Sequence, residues 1–349
     1  MTKKAMRNSS VELLRIISIF AIVLCHFATH GGFDFPPESI TVPRLWWNLI
    51  RFGGNLGVDV FVLISGYFLI ANQDVKFNGK KTLTLWGQMF FYSLLLFALS
   101  LLAGERFSLK SFVIACLPIT SSTWWFASTY FVLFLLHPYL NRALHSLDRK
   151  QYQKLLLLLT VCWCLIPTFT GADFGSNQLL EFVYLYSIAG YIKLHGLCDK
   201  LRSGHWFSLF GLIALLTYLS CVVFLILGTK TPFFSQYSLH FYGRTKLPTL
   251  LSAICLFAGF VQMKPFYSKR VNLIASATFG VYLLHDSPIL RKIFWLDLFQ
   301  NSSFQNSNWI IPYSIGVCIV VYLLCTAVDL VRQRFVERPL TNCFLSKQK

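Results

Sequence analysis

The sequence predicts an all-α integral membrane protein, a polytopic bundle of about ten transmembrane helices with both termini in the cytoplasm. Three observations support this fold class. Hydrophobic residues make up 55% of the 349 residues, charged residues make up 13%, and the mean hydropathy is +0.58; soluble domains usually contain about 25% charged residues. Apolar stretches recur at close to the ~20 residues that a helix needs to cross the hydrocarbon layer. The basic residues lie in short clusters between these stretches.

Apolar segments of suitable length follow one another along the chain. Their approximate bounds are 11–29, 54–71, 84–103, 124–141, 155–171, 178–194, 207–228, 247–263, 271–290 and 310–331. The first carries Arg15 and His26 and has no small-residue cleavage site, so we interpret it as a retained helix and not as a signal peptide. No repeat, low-complexity tract or separate soluble domain interrupts the pattern. Residues 1–349 are therefore expected to form one transmembrane domain.

Basic residues are distributed unevenly between the two sides of this predicted topology. With the amino terminus in the cytoplasm, the inner segments, together with Arg15 and Lys193 near the inner ends of their spans, hold 22 of the 31 Lys and Arg residues, and the outer segments hold 9. Cytoplasmic loops of membrane proteins carry such an excess, so both termini are predicted to be cytoplasmic. The outer loops 30–53, 229–246 and 291–309 are expected to shape the entrance to a cavity among the helices.

The net charge of +17 could also suggest nucleic acid binding. No segment is both long and basic enough to form a nucleic-acid module, so membrane lipids, and not nucleic acid, are the expected partner of the basic loops.

Most of the ten cysteines lie inside apolar segments, and none has CxxC spacing. We interpret them as small packing residues and expect neither disulfides nor a metal site.

The first predicted helix carries Glu12, Arg15 and His26 on one stripe. Eleven positions at ~100° each bring His26 within about 20° of Arg15, roughly 16 Å further along the axis. Ionisable groups in a membrane helix are costly unless they face a partner or a polar cavity. The stripe therefore predicts an interior polar face with a functional role. The alternative is that these side chains only form hydrogen bonds to neighbouring helices.

Two later segments hold further candidate site residues. Tyr282 and His285 are three residues apart and share a face near the outer end of the ninth predicted helix, where the alternative is an ordinary polar helix end. In the second helix, Asp59 is either a carboxylate that orients His26, as in a catalytic triad, or a helix-end carboxylate at the surface. Ser65 of the same helix is an additional candidate.

The last predicted helix ends in basic residues followed by Pro339. Proline stops a helix, and Arg332 and Arg334 suit a cytoplasmic border that faces lipid phosphates. Glu337 lies beside these arginines and is either a site residue or one half of a surface ion pair.

Taken in chain order, these segments resemble the membrane-bound acyltransferase 3 family, bacterial enzymes that O-acetylate sugars of surface glycans. The resemblance spans nearly the whole chain. It is carried by the spacing Arg15-x10-His26 and by the segments Leu56-Gly57-Val58-Asp59-Val60-Phe61, Ser65-Gly66, Trp125-Phe126, Tyr282-Leu283-Leu284-His285 and Val336-Glu337-Arg338-Pro339. The family often has an arginine pair after the second helix where this chain has Lys80-Lys81, and lysine lacks the forked geometry of arginine.

The resemblance implies an O-acetyltransferase of the bacterial cytoplasmic membrane. Its donor would be acetyl-CoA from the cytoplasm, and its acceptor a hydroxyl of a surface polysaccharide or lipid-linked sugar. Arg15, Lys80 and Lys81 would then bind the CoA phosphates. His26 would act as a general base or carry the acetyl group itself, with Asp59 and His285 as further catalytic candidates.

A transporter or flippase of lipid-linked sugars is the main alternative, since ten helices with buried polar residues suit it too. It predicts inverted sequence halves, and the sequence contains no halves that match. A glycan polymerase would need a large outer loop, which the predicted topology lacks.

Overall fold

The computed structural model describes residues 8–36, 38–73, 75, 78–197 and 200–339. Every regular element within these ranges is helical. The α-helices are α1 (Ser9–His30), α2 (Val42–Leu69), α3 (Gly79–Leu102), α4 (Leu109–Cys116), α5 (Trp125–His145), α6 (Arg149–Thr160), α7 (Ile166–Thr170), α8 (Gln178–His195), α9 (Ser203–Gly228), α10 (Pro232–Gln236), α11 (Leu247–Val261), α12 (Lys269–Ser276), α13 (Thr278–His285), α14 (Pro288–Arg291) and α15 (Ile310–Arg332). Turns of π-helix continue α6, α14 and α15.

Within the described ranges, seven helical stretches are long and apolar enough to cross a membrane, and a bent pair could form an eighth span. The seven are Ser9–His30, Val42–Leu69, Gly79–Leu102, Arg149–Thr170, Ser203–Gly228, Pro232–Val261 and Ile310–Glu337. The predicted all-α, multi-pass membrane class is thereby confirmed. Helices α5 and α8 coincide with the two remaining predicted spans. They are less apolar, because α5 contains Asn141 and Arg142 and α8 contains Glu181 and Lys193, and the total of about ten spans stays a prediction.

Helix α2 begins earlier than the second apolar segment, at Val42 instead of residue 54. Thr41 caps it by accepting a hydrogen bond from the backbone N–H of Arg44, and Pro43 occupies its first turn. The second half of the expected outer loop over residues 30–53 is therefore helix. Hydropathy missed this extension because Arg44, Asn48 and Arg51 interrupt its apolar residues.

The ninth apolar segment is not one straight helix. The stretches Lys269–His285 and Pro288–Leu298 meet at an angle of 80°. The hydroxyl of Ser287 accepts a hydrogen bond from the backbone N–H of Leu290, and Pro288 occupies the first turn of the new helix. This bend returns Arg291 to the end of α13, where its side chain reaches Asp286.

Glycines in α2 allow it to pack closely on α1. A Cβ atom on Gly57 would lie 2.6 Å from the backbone oxygen of Ser18, and one on Gly54 would lie 2.5 Å from Sγ of Cys25. Side chains at these two positions would push the helices apart. The close approach brings the α2 segment around Gly54 against the α1 turn that carries His26.

A polar cluster joins α3 and α15, and it lies beside Gly280 of α13. Oδ1 of Asp329 accepts hydrogen bonds from Tyr92 (2.7 Å), Gln88 (3.1 Å) and Arg332 (2.8 Å). Arg332 also pairs with Glu337 at 2.9 Å. The prediction that Arg332 faces lipid phosphates is therefore wrong, because its buried side chain is turned toward two carboxylates.

Candidate active site

The candidate residues His26 and Tyr282 border a cavity of about 630 Å³, within the size range of ligand sites. The carboxyl-terminal ends of α1 and α13, the middle of α2 and the amino-terminal ends of α5 and α8 meet here. Its lining consists of Ile22, Cys25, His26, Thr29, His30, Arg51, Gly54, Asn55, Val58, Trp125, Gln178, Glu181, Leu239, Tyr242, Gly243, Arg244, Thr245 and Tyr282. Thr29 and Gln178 are exposed, so the cavity is continuous with the surface.

His26 meets His285 and Asp286 across the interface of α1 and α13. Its Nδ1 atom lies 3.0 Å from Nε2 of His285 and 3.2 Å from Oδ1 of Asp286. The side chain of His26 is 18% exposed, whereas His285 and Asp286 are almost completely buried. The sequence singled out both histidines separately, and the structure places them in direct contact.

The backbone fixes which nitrogen of His285 carries a proton. Nδ1 of His285 lies 2.6 Å from the carbonyl oxygen of Val281, and because a carbonyl only accepts hydrogen bonds, this nitrogen is the donor. Nε2 of neutral His285 is then an acceptor, so Nδ1 of His26 donates to it and to Asp286. Nε2 of His26 consequently carries the lone pair, and it makes no hydrogen bond to any described residue.

Asp286 is anchored by Arg291 from beyond the bend. Oδ1 of Asp286 accepts from Nε and Nη2 of Arg291 at 3.0 and 2.7 Å. Nε2 of His30 is 4.0 Å from the same oxygen. Sequence reasoning did not select Asp286 or His30. The adjacency of Asp286 to His285 and the i, i+4 spacing of His26 and His30 were the available signals.

Tyr282 lies in the wall between the histidines and α5. Its ring centroid is 6.3 Å from that of His285 and 5.3 Å from that of Phe126. The buried hydroxyl lies near Asp286 but makes no hydrogen bond of standard geometry with a described residue.

Asp59 does not orient His26, and it is not a surface carboxylate either. It is completely buried, and neither of its oxygens has a hydrogen-bond partner among the described residues. It borders a smaller cavity of about 10 Å³ together with Glu181 and Arg244, which form an ion pair at 3.1 Å. Asp286, contributed by α13, occupies the position that the sequence analysis considered for Asp59.

His26, His30 and Asp286 could also be considered as metal ligands, because one donor atom of each lies within 4.8 Å of the others. Arg291 opposes this use. Its guanidinium already donates twice to the carboxylate oxygen that would bind the ion, and its positive charge repels a cation. The arrangement fits proton transfer better than metal binding.

The acyltransferase 3 family model, described as an acyltransferase domain, matches residues 8–329. This chain belongs to the acyltransferase 3 family. No curated protein and no solved structure matches it. Family membership indicates a membrane acyltransferase and gives no support to the transporter alternative.

Arg15, in this acyltransferase, lies away from the His26 cavity. It is partly buried, its Nη1 is 3.6 Å from Oε2 of Glu12, and its guanidinium lies 5.9 Å from the ring of Phe68. Neither Glu12 nor Arg15 borders the cavity. The predicted polar stripe of α1 therefore divides into an ion pair near its amino-terminal end and a histidine site near the other.

The remaining predicted residues are also outside the His26 cavity. Lys80 and Lys81 are exposed in the first turn of α3. Ser65 is buried, and its hydroxyl donates a hydrogen bond to the carbonyl oxygen of Phe61, one turn earlier in α2, at 2.9 Å. Glu337 forms an ion pair with Arg332; the side chain of Glu337 is partly exposed, whereas that of Arg332 is buried.

Proposed function

We propose that this acyltransferase transfers an acetyl group from cytoplasmic acetyl-CoA to a hydroxyl of a surface polysaccharide or lipid-linked sugar, with His26 as the general base. The observation that carries this proposal is the position of His26. One of its nitrogens is held by His285 and Asp286, and the other is left with a lone pair at a cavity large enough for a sugar unit. A histidine used only for packing would not need this orientation.

The chemistry follows from this orientation. An acceptor hydroxyl at Nε2 of His26 gives up its proton to that nitrogen while its oxygen attacks the thioester carbonyl. The C–S bond breaks, and the proton passes from His26 to the departing CoA thiolate. Asp286 stabilises the imidazolium that exists between these two proton transfers.

A variant of this route has His26 as the nucleophile. Its Nε2 would then take the acetyl group from CoA before the acceptor hydroxyl attacks the acetyl-imidazole. Mass spectrometry of protein quenched after mixing with acetyl-CoA, without acceptor, separates the two routes. A covalent acetyl group on His26 indicates the two-step route.

The donor would approach from the opposite end of α1. Arg15 precedes His26 by eleven positions of helix, about 16 Å, a distance that an extended pantetheine arm can cover. In this proposal Arg15, Lys80 and Lys81 hold the phosphates, and the acetyl group points along α1 toward His26.

The cavity wall suits a sugar acceptor. Trp125, Tyr242 and Tyr282 supply aromatic surface, while Asn55 and Gln178 supply amide groups that can bind hydroxyls. These polar groups surround the cavity at the end of the bundle where the predicted topology places the outer leaflet.

His26→Ala tests the proposal. We expect acetyl transfer to fall by about 10² to 10⁴, the usual contribution of a general base, while the protein still folds. Surface glycans from cells that express the wild type, His26→Ala or no protein are compared by mass spectrometry for acetyl esters. His195→Ala is the matched control, because His195 packs against the rings of Tyr152 and Tyr191 and does not line the cavity.

Two results would contradict the proposal. One is a well-folded His26→Ala protein that transfers acetyl groups at a near-native rate. The other is a glycan acetylation pattern that does not change when the gene is removed.

A further inference from the structure

Arg51 is a cavity-lining cation that the proposed chemistry does not use. It lies on α2 one turn before Gly54, which packs against Cys25, the neighbour of His26. Its guanidinium lies 4.3 Å from the ring centroid of Trp47. The indole N–H of Trp47 in turn donates to the carbonyl oxygen of Ala28 at 2.8 Å. Two successive contacts with α1 and α2 therefore hold the Arg51 side chain in position.

The charge of Arg51 is not neutralised by the protein. No carboxylate lies within ion-pair distance of it, and it makes no hydrogen bond, among the described residues. Arg244, the other arginine in the lining, is paired with Glu181 at 3.1 Å. Glu181 is the one acidic residue of the described lining. The cavity thus contains one fixed guanidinium with its donors available.

A guanidinium with free donors binds carboxylate and phosphate groups through paired charge-assisted hydrogen bonds. We propose that Arg51 binds an anionic group on the acceptor, a sugar carboxylate or a sugar phosphate, and so gives this enzyme a preference for acidic acceptors. The inference rests on the proposed acetyl transfer. It adds the substrate class: a sugar that carries its negative charge close to the hydroxyl that is acetylated.

The first test is binding without the donor. Purified protein in detergent is titrated with a short glucuronate-containing oligosaccharide, with the same oligosaccharide after reduction of its carboxyl groups, and with a sugar phosphate. The wild type is expected to bind at least one of the two anionic probes roughly 10- to 100-fold more tightly than the neutral probe, the value of a charge-assisted hydrogen bond. Arg51→Gln should lose this difference, and Arg51→Lys should retain part of it.

The second test is steady-state kinetics with the preferred probe. Arg51→Gln should raise KM for the acidic acceptor and leave KM for acetyl-CoA unchanged. Arg106→Gln is the matched control, since Arg106 is exposed in the segment between α3 and α4. The ratio of carboxylate to phosphate binding identifies which anion the site takes.

Equal binding of acidic and neutral probes by the wild type would overturn the proposal. An Arg51→Gln protein that binds the acidic probes as tightly as the wild type would also overturn it. So would a change in KM for acetyl-CoA in place of a change in KM for the acceptor. A failure of the proposed acetyl transfer can be distinguished from a failure of the Arg51 proposal. In the first case no acceptor is turned over, while the binding titration still measures the contribution of Arg51 to the affinity for acidic probes.

Discussion

Among single residues, Asp286 is the one whose position defines the candidate site. Its carboxylate oxygen lies between Nδ1 of His26 and the guanidinium of Arg291, at 3.2 and 2.7 Å. Arg291 fixes the carboxylate, and the carboxylate favours the protonated form of His26 during transfer.

Asp286→Asn keeps the shape of the side chain but removes its charge. We expect kcat to fall by about 10² to 10⁴, with KM for acetyl-CoA nearly unchanged, measured as steady-state kinetics on purified protein.

Asp297→Asn is the control for this change, because Asp297 is exposed beyond the bend. Thermal unfolding in detergent is measured alongside, since Asp286→Asn also weakens the contact with Arg291. An Asp286→Asn protein with wild-type kcat would show that His26 is positioned by His285 alone.

The site was only partly predictable from these residues. The period of the helix places Arg15 and His26 on one stripe and Tyr282 beside His285, because both relationships lie within one helix. It cannot say which helix faces which. Asp59 and Asp286 were both available to His26 by residue type, and the packing of α13 on α1 decides for Asp286. No local pattern reports such a contact.

At the scale of the elements, the packing of α2 on α1 depends on Gly57. An added Cβ would lie 2.6 Å from the backbone oxygen of Ser18, and a backbone atom cannot move away as a flexible side chain can. Gly57→Ala should therefore destabilise the protein by about 1–3 kcal/mol, the usual cost of overpacking. It should also reduce activity, since α2 and α1 both line the cavity. Thermal unfolding in detergent and acetyl transfer are the measurements.

Gly87→Ala provides the comparison on α3, where an added Cβ would meet nothing within 4 Å. There the change should be neutral or stabilise by up to about 1 kcal/mol, since alanine is the better helix former. If Gly57→Ala unfolds at the same temperature as Gly87→Ala, the close packing of α1 and α2 is wrong.

The elements themselves were more predictable than the contacts. Apolar length located α1, α3, α9, α11 and α15 to within a few residues. It failed where polar or breaking residues fall inside a helix or next to it. The first turns of α2 are too polar for a hydropathy window, and the break at Ser287-Pro288 is hidden by the apolar residues on both sides of it.

Over the whole molecule, the residues proposed for the donor and for the acceptor lie at different ends of the bundle. Helices α1 and α13 run toward the cavity, α5 and α8 begin at it, and α2 begins at Val42 and lines it with residues 51–58. In the predicted ten-span topology all of these ends are outside, which suits an acceptor from the cell surface. This arrangement requires α5 and α8 to cross the membrane, although they are less apolar than the other spans.

Their lengths allow the crossing. At ~1.5 Å per residue, the 21 residues of α5 and the 18 residues of α8 extend about 31 and 27 Å, close to the ~30 Å of the hydrocarbon layer. Of their polar residues, the exposed Arg142 and Lys193 lie in the last turns of the helices, at the ends that the predicted topology places in the cytoplasm. Asn141 is completely buried and donates to the carbonyl of Leu69 at 2.8 Å, and much of α8 is buried. We therefore expect both helices to span.

Epitope tags inserted after Glu105 and after Ser146, on either side of α5, test this directly. The first tag should be accessible to antibody on intact cells, and the second only after the membrane is permeabilised. Locating the two termini is not enough, because eight spans and ten spans both place the termini on the same side of the membrane. Tags after Ala172 and after Lys200 test α8 in the same way. If the two tags that flank either helix are found on the same side, the ten-span topology is wrong, and Trp125 or Gln178 then belongs to a helix that does not cross the membrane.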